Sequence, residues 1–279
     1  AFGTFAIRML HTDTWKDNGP LELSPDRGRF ALTYSIVEDH SLSFSLPVAR
    51  FTTPDLGISN DGRYVSLFAP GVSFIVMPGY LAGRAFGGAQ VGTFAVIALF
   101  ALINALLVRL IALRLGAHTI AALLGALTFL FATPAFAYGV TLYQHHISTF
   151  LILMSIYTLL RWNNWWTLAL VWFLASLSLS VDYPNLFLMF PVGLWALGRV
   201  ILPSYTVRGF NFVIRPGGIV TFAGAIIPVL FFLWFNNASY GNPLQLAGTL
   251  PQVRAIDDQG KPTEAKYEEL IGINKHDEL

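Results

Sequence analysis

An aspartate followed three residues later by an arginine, Asp26 and Arg29, opens a helical pattern near the start of the chain. Such a pair offers a proton acceptor and a cation one turn apart. The same acid is stabilised by the helix macrodipole, by about 0.3–1 kcal/mol, whatever the protein does. Glu38, Asp39 and His40 end that pattern, where the dipole disfavours acids and a cation or metal would compensate them; Glu38 and Asp39 are therefore the metal candidates. His145 and His146 stand beside Tyr143 and Gln144, and neutral imidazoles there could donate to a phosphate or ligate a metal. A satisfied interfacial histidine is the structural alternative. Asp182, next to Tyr183 and Pro184, is the only carboxylate between Asp61 and Asp257. An acid among apolar runs is costly enough to mark a function, or it caps the helix that starts at Pro184. Asp55 and Asp61 flank a glycine-containing turn, where acids are ordinary turn formers.

The elements that position these groups follow from where charge is missing. The 279 residues are 54% hydrophobic and 12% charged, far from the balance of a soluble domain, and the net charge of +1 decides nothing. In hydrocarbon every backbone amide needs an internal partner, so long apolar runs must be helices, and the fold class expected is an all-α polytopic transmembrane protein. Six full spans are expected across 91–236. The first covers 91–111, two more share 115–160 with a break at Tyr138–His146, and the others cover 165–181, 186–200 and 217–236. Residues 1–10 are expected to be the remnant of an earlier span, 11–90 an extracytoplasmic loop with juxtamembrane helices, and 237–279 an extracytoplasmic polar tail.

Within the loop, Ser24-Pro25-Asp26 reads as a helix start. Phe30, Tyr34 and Val37 follow at helical spacing, which predicts a surface helix with its apolar side on the membrane. Asn60-Asp61-Gly62 reads as a turn, and GVSFIVMPGYLAGR after Pro70-Gly71 as an interfacial or re-entrant segment too short to span. Arg109 and Arg114, then Arg161, then Arg199, Arg208 and Arg215 fall at alternate ends of the runs, which makes those ends cytoplasmic. Asp26, His145, His146 and Asp182 then share the opposite side. There is no cysteine, hence no disulfide, and no phosphate-cradling glycine loop, HExxH helix or GxSxG elbow. The terminal KHDEL matches an ER retrieval signal, but the cytoplasmic (plasma) membrane is the expected location.

Four stretches together resemble one family. SPDRGRFALTYSIVEDHSLSF looks like the first extracytoplasmic loop of the polyprenyl-phosphate-sugar-dependent membrane glycosyltransferases of the GT-C fold, the group of protein mannosyltransferases and aminoarabinose transferases. GRYVSLFAPGVSFIVMPGYLAGR is similar to that family's Tyr-Tyr-Ser and Ala-Pro-Gly element, DYPNLFLMFP to its acidic-Tyr-Pro segment, and FNNASYGNPL to its Tyr-Asn, Phe-Gly-x-Pro-Leu element. The chain departs at Leu67-Phe68, where relatives carry Asp-Lys, so the cation or metal contact of that position is not carried over.

The resemblance implies an inverting transfer outside the membrane. A sugar on a polyprenyl phosphate already has a good leaving group, so the enzyme needs a carboxylate to take the acceptor's proton and cations to steady the phosphate. Asp26 would be the catalytic base and Arg29 or Arg63 the phosphate contact, with His145, His146, Asp182 and Tyr183 as further substrate contacts. The implied partners are membrane lipid, the lipid-linked sugar donor and a glycan, lipid or protein acceptor, with no nucleic acid; a divalent metal is a candidate cofactor. The competing readings are a transporter or flippase for a lipid-linked or small polar substrate, and a non-catalytic membrane subunit.

Overall fold

The computed structural model describes residues 21, 24–206 and 209–263. The expected remnant span at 1–10, Arg208 and the terminal KHDEL lie outside the described residues. The described residues are mostly helical and form two compact units. One draws on residues up to Val96, on Thr141–Tyr143 and on the chain from Leu233; the other on Ile97–Val140 and Gln144–Phe232.

In the first unit, α1 (Ser24–Val37) and α2 (Leu46–Thr52) precede a small sheet. Strand β1 (Leu56–Ile58) pairs antiparallel with β2 (Tyr64–Ser66) across the Asn60-Asp61-Gly62 turn, where Gly62 takes φ +83°. That turn is where the dipeptide signal placed it. Helix α1 is not a surface helix: Asp26, Arg29, Phe30, Leu32, Thr33, Tyr34 and Ser35 are all buried, so its polar faces are covered as well as its apolar one. Thr33 Oγ1 donates to the Ser73 carbonyl at 3.1 Å, and Ser73 Oγ donates to the Arg29 carbonyl at 2.9 Å, joining α1 to α3 (Gly71–Ala85).

The segment expected to be re-entrant is this continuous helix, α3, which carries Pro78 within it. Its small residues explain how it packs. A Cβ on Gly92, in α4 (Ala89–Arg114), would lie 2.1 Å from the Gly79 carbonyl oxygen, and one on Gly83 would lie 2.4 Å from the Gly88 carbonyl oxygen. The two backbones touch where side chains would otherwise hold them apart, the small-xxx-small contact of apolar helices.

In the second unit, the expected pair of helices of about 20 residues between 115 and 160 is instead α5 (Thr119–Phe131), the single turn α6 (Ala135–Tyr138) and α7 (His145–Arg161). Pro134 cannot donate to the ladder, and Thr133 Oγ1 turns to the Phe129 carbonyl at 2.6 Å, so the break starts earlier than the Tyr138–His146 signal. Helix α8 (Trp165–Val181) begins at a capping box in which Asn164 Oδ1 accepts from the Thr167 amide at 2.9 Å, and it ends where predicted. Helix α9 (Asn185–Val200) follows Pro184. Leu159, Leu168, Val171, Val192 and Ala196 form the core where α7, α8 and α9 meet.

A hairpin comes next that the sequence pattern did not predict, β3 (Ile201–Thr206) with β4 (Gly209–Ile214), in a register that sets Ile201 opposite Ile214. Helix α10 (Pro216–Val220), a 3-10 segment and α11 (Ile226–Tyr240) then form one rod over Pro216–Tyr240.

Back in the first unit, β5 (Gln252–Val253) returns to pair with β1, giving the order β2-β1-β5, and β6 (Ala255–Ile256) pairs with β7 (Pro262–Thr263).

Where six spans were expected, two helices among the described residues are long and apolar enough to cross a membrane, Ala89–Arg114 and Pro216–Tyr240. The apolar helices Thr119–Phe131, Trp165–Val181 and Asn185–Val200 are shorter, 13, 17 and 16 residues long. The close approach at Gly92 has a direct consequence. Gly92→Val should lower the thermal stability of the detergent-solubilised chain by about 1–3 kcal/mol or more, as overpacking does. Gly125→Ala, in a helix where an added Cβ meets nothing within 4 Å, should change it by less than about 1 kcal/mol. Equal melting shifts for the two variants would contradict the packing.

Candidate functional site

Asp26 sits in the first turn of α1 and is 2% exposed. Its Oδ1 accepts a hydrogen bond from the Leu142 amide at 2.9 Å. Its Oδ2 makes no hydrogen bond among the described residues. Burial pushes the carboxyl up from its ordinary value to about 6, against the pull of the Leu142 amide, of Arg29 and, less, of Arg27. One oxygen is therefore held, while the group binds a proton near neutral pH.

Arg29, one turn along the same helix, is also buried. Its guanidinium lies 4.7 Å from the centre of the Phe68 ring and 5.6 Å from that of Tyr143. Aromatic faces attract a cation through the negative face of the ring quadrupole. Phe68 reaches this position because Gly28 has no side chain: a Cβ there would lie 2.5 Å from the Phe68 ring. Phe68 thus supplies a stacking face for Arg29. Phe68, Tyr143 and the Leu142 amide are the site components that sequence reasoning missed; the Leu142 bond joins residues 116 positions apart, which no local pattern signals.

Arg63, expected to contact phosphate, is committed elsewhere. Its Nε pairs with Asp61 at 2.6 Å, and its Nη2 donates to the Ala238 carbonyl at 3.2 Å and the Ser239 carbonyl at 3.4 Å. A cation there satisfies carbonyls in the last turn of α11, which the helix cannot bond itself. Glu38, a metal candidate, accepts from Tyr80 Oη at 2.9 Å with one oxygen and pairs with Arg84 at 3.0 Å with the other. Asp39 accepts from Ser45 Oγ at 3.5 Å, and His40 takes φ +49° in the left-handed region just past the end of α1. Among the described residues no three His, Asp or Glu side chains gather as metal ligands.

The other candidates belong to the second unit, at the start of α7 and the α8–α9 junction. The two imidazoles have different environments. His146 is 3% exposed; its Nε2 lies 2.8 Å from the Ala135 carbonyl oxygen and so carries the proton, leaving Nδ1 to accept from Asn104 Nδ2 at 3.3 Å. Asn104 Nδ2 also donates to the His146 carbonyl at 2.8 Å. With both nitrogens used, His146 locks α7 to α4 and α6 and is not the ligand its position suggested. His145 is exposed and packs edge-on against Tyr138, ring centres 4.3 Å apart.

Asp182 ends α8 and accepts from Gln144 Nε2 at 3.0 Å, while Tyr183 packs edge-on against Phe232 at 6.2 Å. The buried polar lock of this junction is Asn185, whose Nδ2 donates to Ser148 Oγ at 2.8 Å and the Ser178 carbonyl at 3.0 Å. The structure therefore brings Gln144, Asp182 and Tyr183 to the same unit as His145, and Asp26 together with Arg29 in the other.

Comparison with family models, with curated proteins and with solved structures returns no match, so the reading of these side chains rests on their own geometry.

The raised carboxyl of Asp26 links stability to pH. A group that binds its proton more tightly folded than unfolded favours folding at low pH: its contribution is complete below about 4 and is lost as pH rises through about 6. Asp26→Asn, which keeps an oxygen for the Leu142 amide, should therefore melt higher than the parent above pH 7, by on the order of 1–3 kcal/mol, with the gap closing towards pH 4. Thermal melts from pH 4 to 8 read this; a gap that does not change with pH would contradict it.

Proposed function

We propose that this chain is a membrane-embedded inverting glycosyltransferase of the GT-C type, moving a sugar from a polyprenyl phosphate to an acceptor hydroxyl on the extracytoplasmic face of the plasma membrane. The observation that carries the reading is Asp26: a buried carboxyl with one oxygen held and the other without a hydrogen bond among the described residues, binding its proton near pH 6, with an aromatic-faced arginine one turn away. A general base works best with a pKa near the operating pH, and burial tunes carboxylates into that range.

In the step, Oδ2 of Asp26 takes the proton of the acceptor hydroxyl as its oxygen bonds to the anomeric carbon. The bond from that carbon to the phosphate oxygen breaks, and the electron pair leaves with the polyprenyl phosphate beside Arg29. One displacement inverts the anomeric centre, unlike the double displacement of paired carboxylates in retaining hydrolases. Arg63 Nε and Nη2 are engaged by Asp61 and by last-turn carbonyls of α11, and both ring nitrogens of His146 are used, so neither is assigned to substrate; His145, Asp182 and Tyr183 belong to the other unit.

Membrane placement is supported by the exposure of the long helices. Of the apolar window of Ala89–Arg114 only 22% is buried, and of Pro216–Tyr240 only 28%, whereas the core helix of a soluble protein would be mostly covered. The family resemblance supplies the donor class. Reconstituted full-length protein given a synthetic polyprenyl-phosphate sugar should release polyprenyl phosphate with a rate that rises through pH 6. Asp26→Asn should be slower by about 10²–10⁴, the usual worth of a positioned base. Parent-like turnover by Asp26→Asn would remove Asp26 as the base, and no release from any lipid-phosphate sugar would remove the reading itself.

A further inference from the structure

Between α4 and α5 lies a groove of about 460 Å³ that has no part in the transfer scheme. Its walls are two facing stripes, Leu102, Leu106 and Arg109 on α4 and Leu123, Leu127 and Leu130 on α5, at the spacing with which packed helices interdigitate. Here they stand apart and leave room. Leu102, Leu106, Leu123 and Leu127 are exposed, so the walls are uncovered apolar surface.

Arg109 gives the groove a sign. No hydrogen bond or ion pair engages its guanidinium among the described residues. Three neighbouring cations are engaged: Arg114 Nε donates to the Leu160 carbonyl at 3.1 Å, Arg199 Nη1 donates to the Trp162 carbonyl at 2.8 Å and its Nη2 to the Leu159 carbonyl, and Arg161 stacks on Trp162 at 5.6 Å. No protein acid can answer Arg109 within this unit. Its one carboxylate, Asp182, lies at the far end of the 17-residue α8, about 25 Å along the axis from the arginine cluster at the end of α7. An arginine in an apolar groove on a membrane helix needs an anion, and no acid among the described residues pairs with this one.

We infer that the α4–α5 groove binds an anionic phospholipid, one acyl chain along the leucine stripes and the phosphate on Arg109. Basic pockets between apolar helices at the arginine-rich side of a membrane take lipid head groups in this way. The site rests on the membrane placement of α4 and is independent of sugar transfer.

The test uses the full chain in detergent with added dioleoyl phosphatidylglycerol or dioleoyl phosphatidylcholine, counting retained lipids by native mass spectrometry. The parent should retain one phosphatidylglycerol in preference to phosphatidylcholine by about fivefold, the worth of one surface arginine. Arg109→Gln should bring the two lipids to parity, Arg109→Lys should restore the preference, and Arg161→Gln, outside the groove, should leave it unchanged. Ala126→Phe, which fills the groove, should reduce retention of both lipids, with circular dichroism confirming that the variant is folded. Glycerol phosphate, which has the charge without the chain, should not displace the lipid.

Equal retention of the two lipids by the parent, an unchanged preference in Arg109→Gln, or displacement by glycerol phosphate would overturn the site. Asp26→Asn should bind phosphatidylglycerol normally, so a failed transfer assay and a failed lipid assay are distinguishable. A chain that stays monodisperse without detergent would sink the membrane placement on which the lipid site depends.

Discussion

Taking a carboxylate out of water is costly, and the first unit does so at Asp26. A hydrogen bond from one backbone amide offsets only part of that cost, and the nearest cations, Arg29 and Arg27, act on it through space. The rest of the region is arranged around this imbalance. The Arg29 carbonyl accepts from both Thr33 and Ser73, which fixes the turn of α1 carrying the pair, and Gly28 leaves space for the Phe68 ring that faces the guanidinium. A core built for stability alone would gain by replacing the acid with an apolar residue. What the burial gives the group is proton affinity, raised above that of an ordinary aspartate.

In the second unit several polar side chains are tied up in contacts between helices. Asn185 ties Ser148 to the end of α8, Asn104 and the Ala135 carbonyl hold both nitrogens of His146, and arginines from α4 and α9 satisfy the last carbonyls of α7. In apolar surroundings an unpaired donor or acceptor is expensive, so these contacts are what short helices with leucine-rich exteriors require. Arg109 has no such partner among the described residues, and it lines the apolar groove between α4 and α5.

Much of the helical frame was legible because apolar runs and their interruptions are local. The capping box at Asn164 and the break at Asp182-Tyr183-Pro184 put α8 and α9 where the pattern placed them. Less was legible where long-range packing decides. Arg27, Thr33 and Ser35 break the apolar pattern of α1 and suggest a wet face, yet the surrounding unit covers them. The β3–β4 hairpin was hidden by Pro203, a residue that argues against a strand and is tolerated because a two-stranded hairpin has edges for it. Of the site, Asp26 and Arg29 were visible as a spaced pair. Their environment was not, since Leu142, Tyr143 and Phe68 come from distant stretches, and the two adjacent histidines could not be told apart until burial separated them.

The most direct measurement is of the carboxyl itself. Infrared spectra of the detergent-solubilised chain across pH, with those of Asp26→Asn subtracted, isolate the carbonyl band of one protonated side chain. A band that disappears with a midpoint near pH 6 is the result expected of a buried base poised for proton transfer. A midpoint near 4, the ordinary aspartate range, would mean that Asp26 is solvated and ionised at neutral pH, and the account of the site would fail with it.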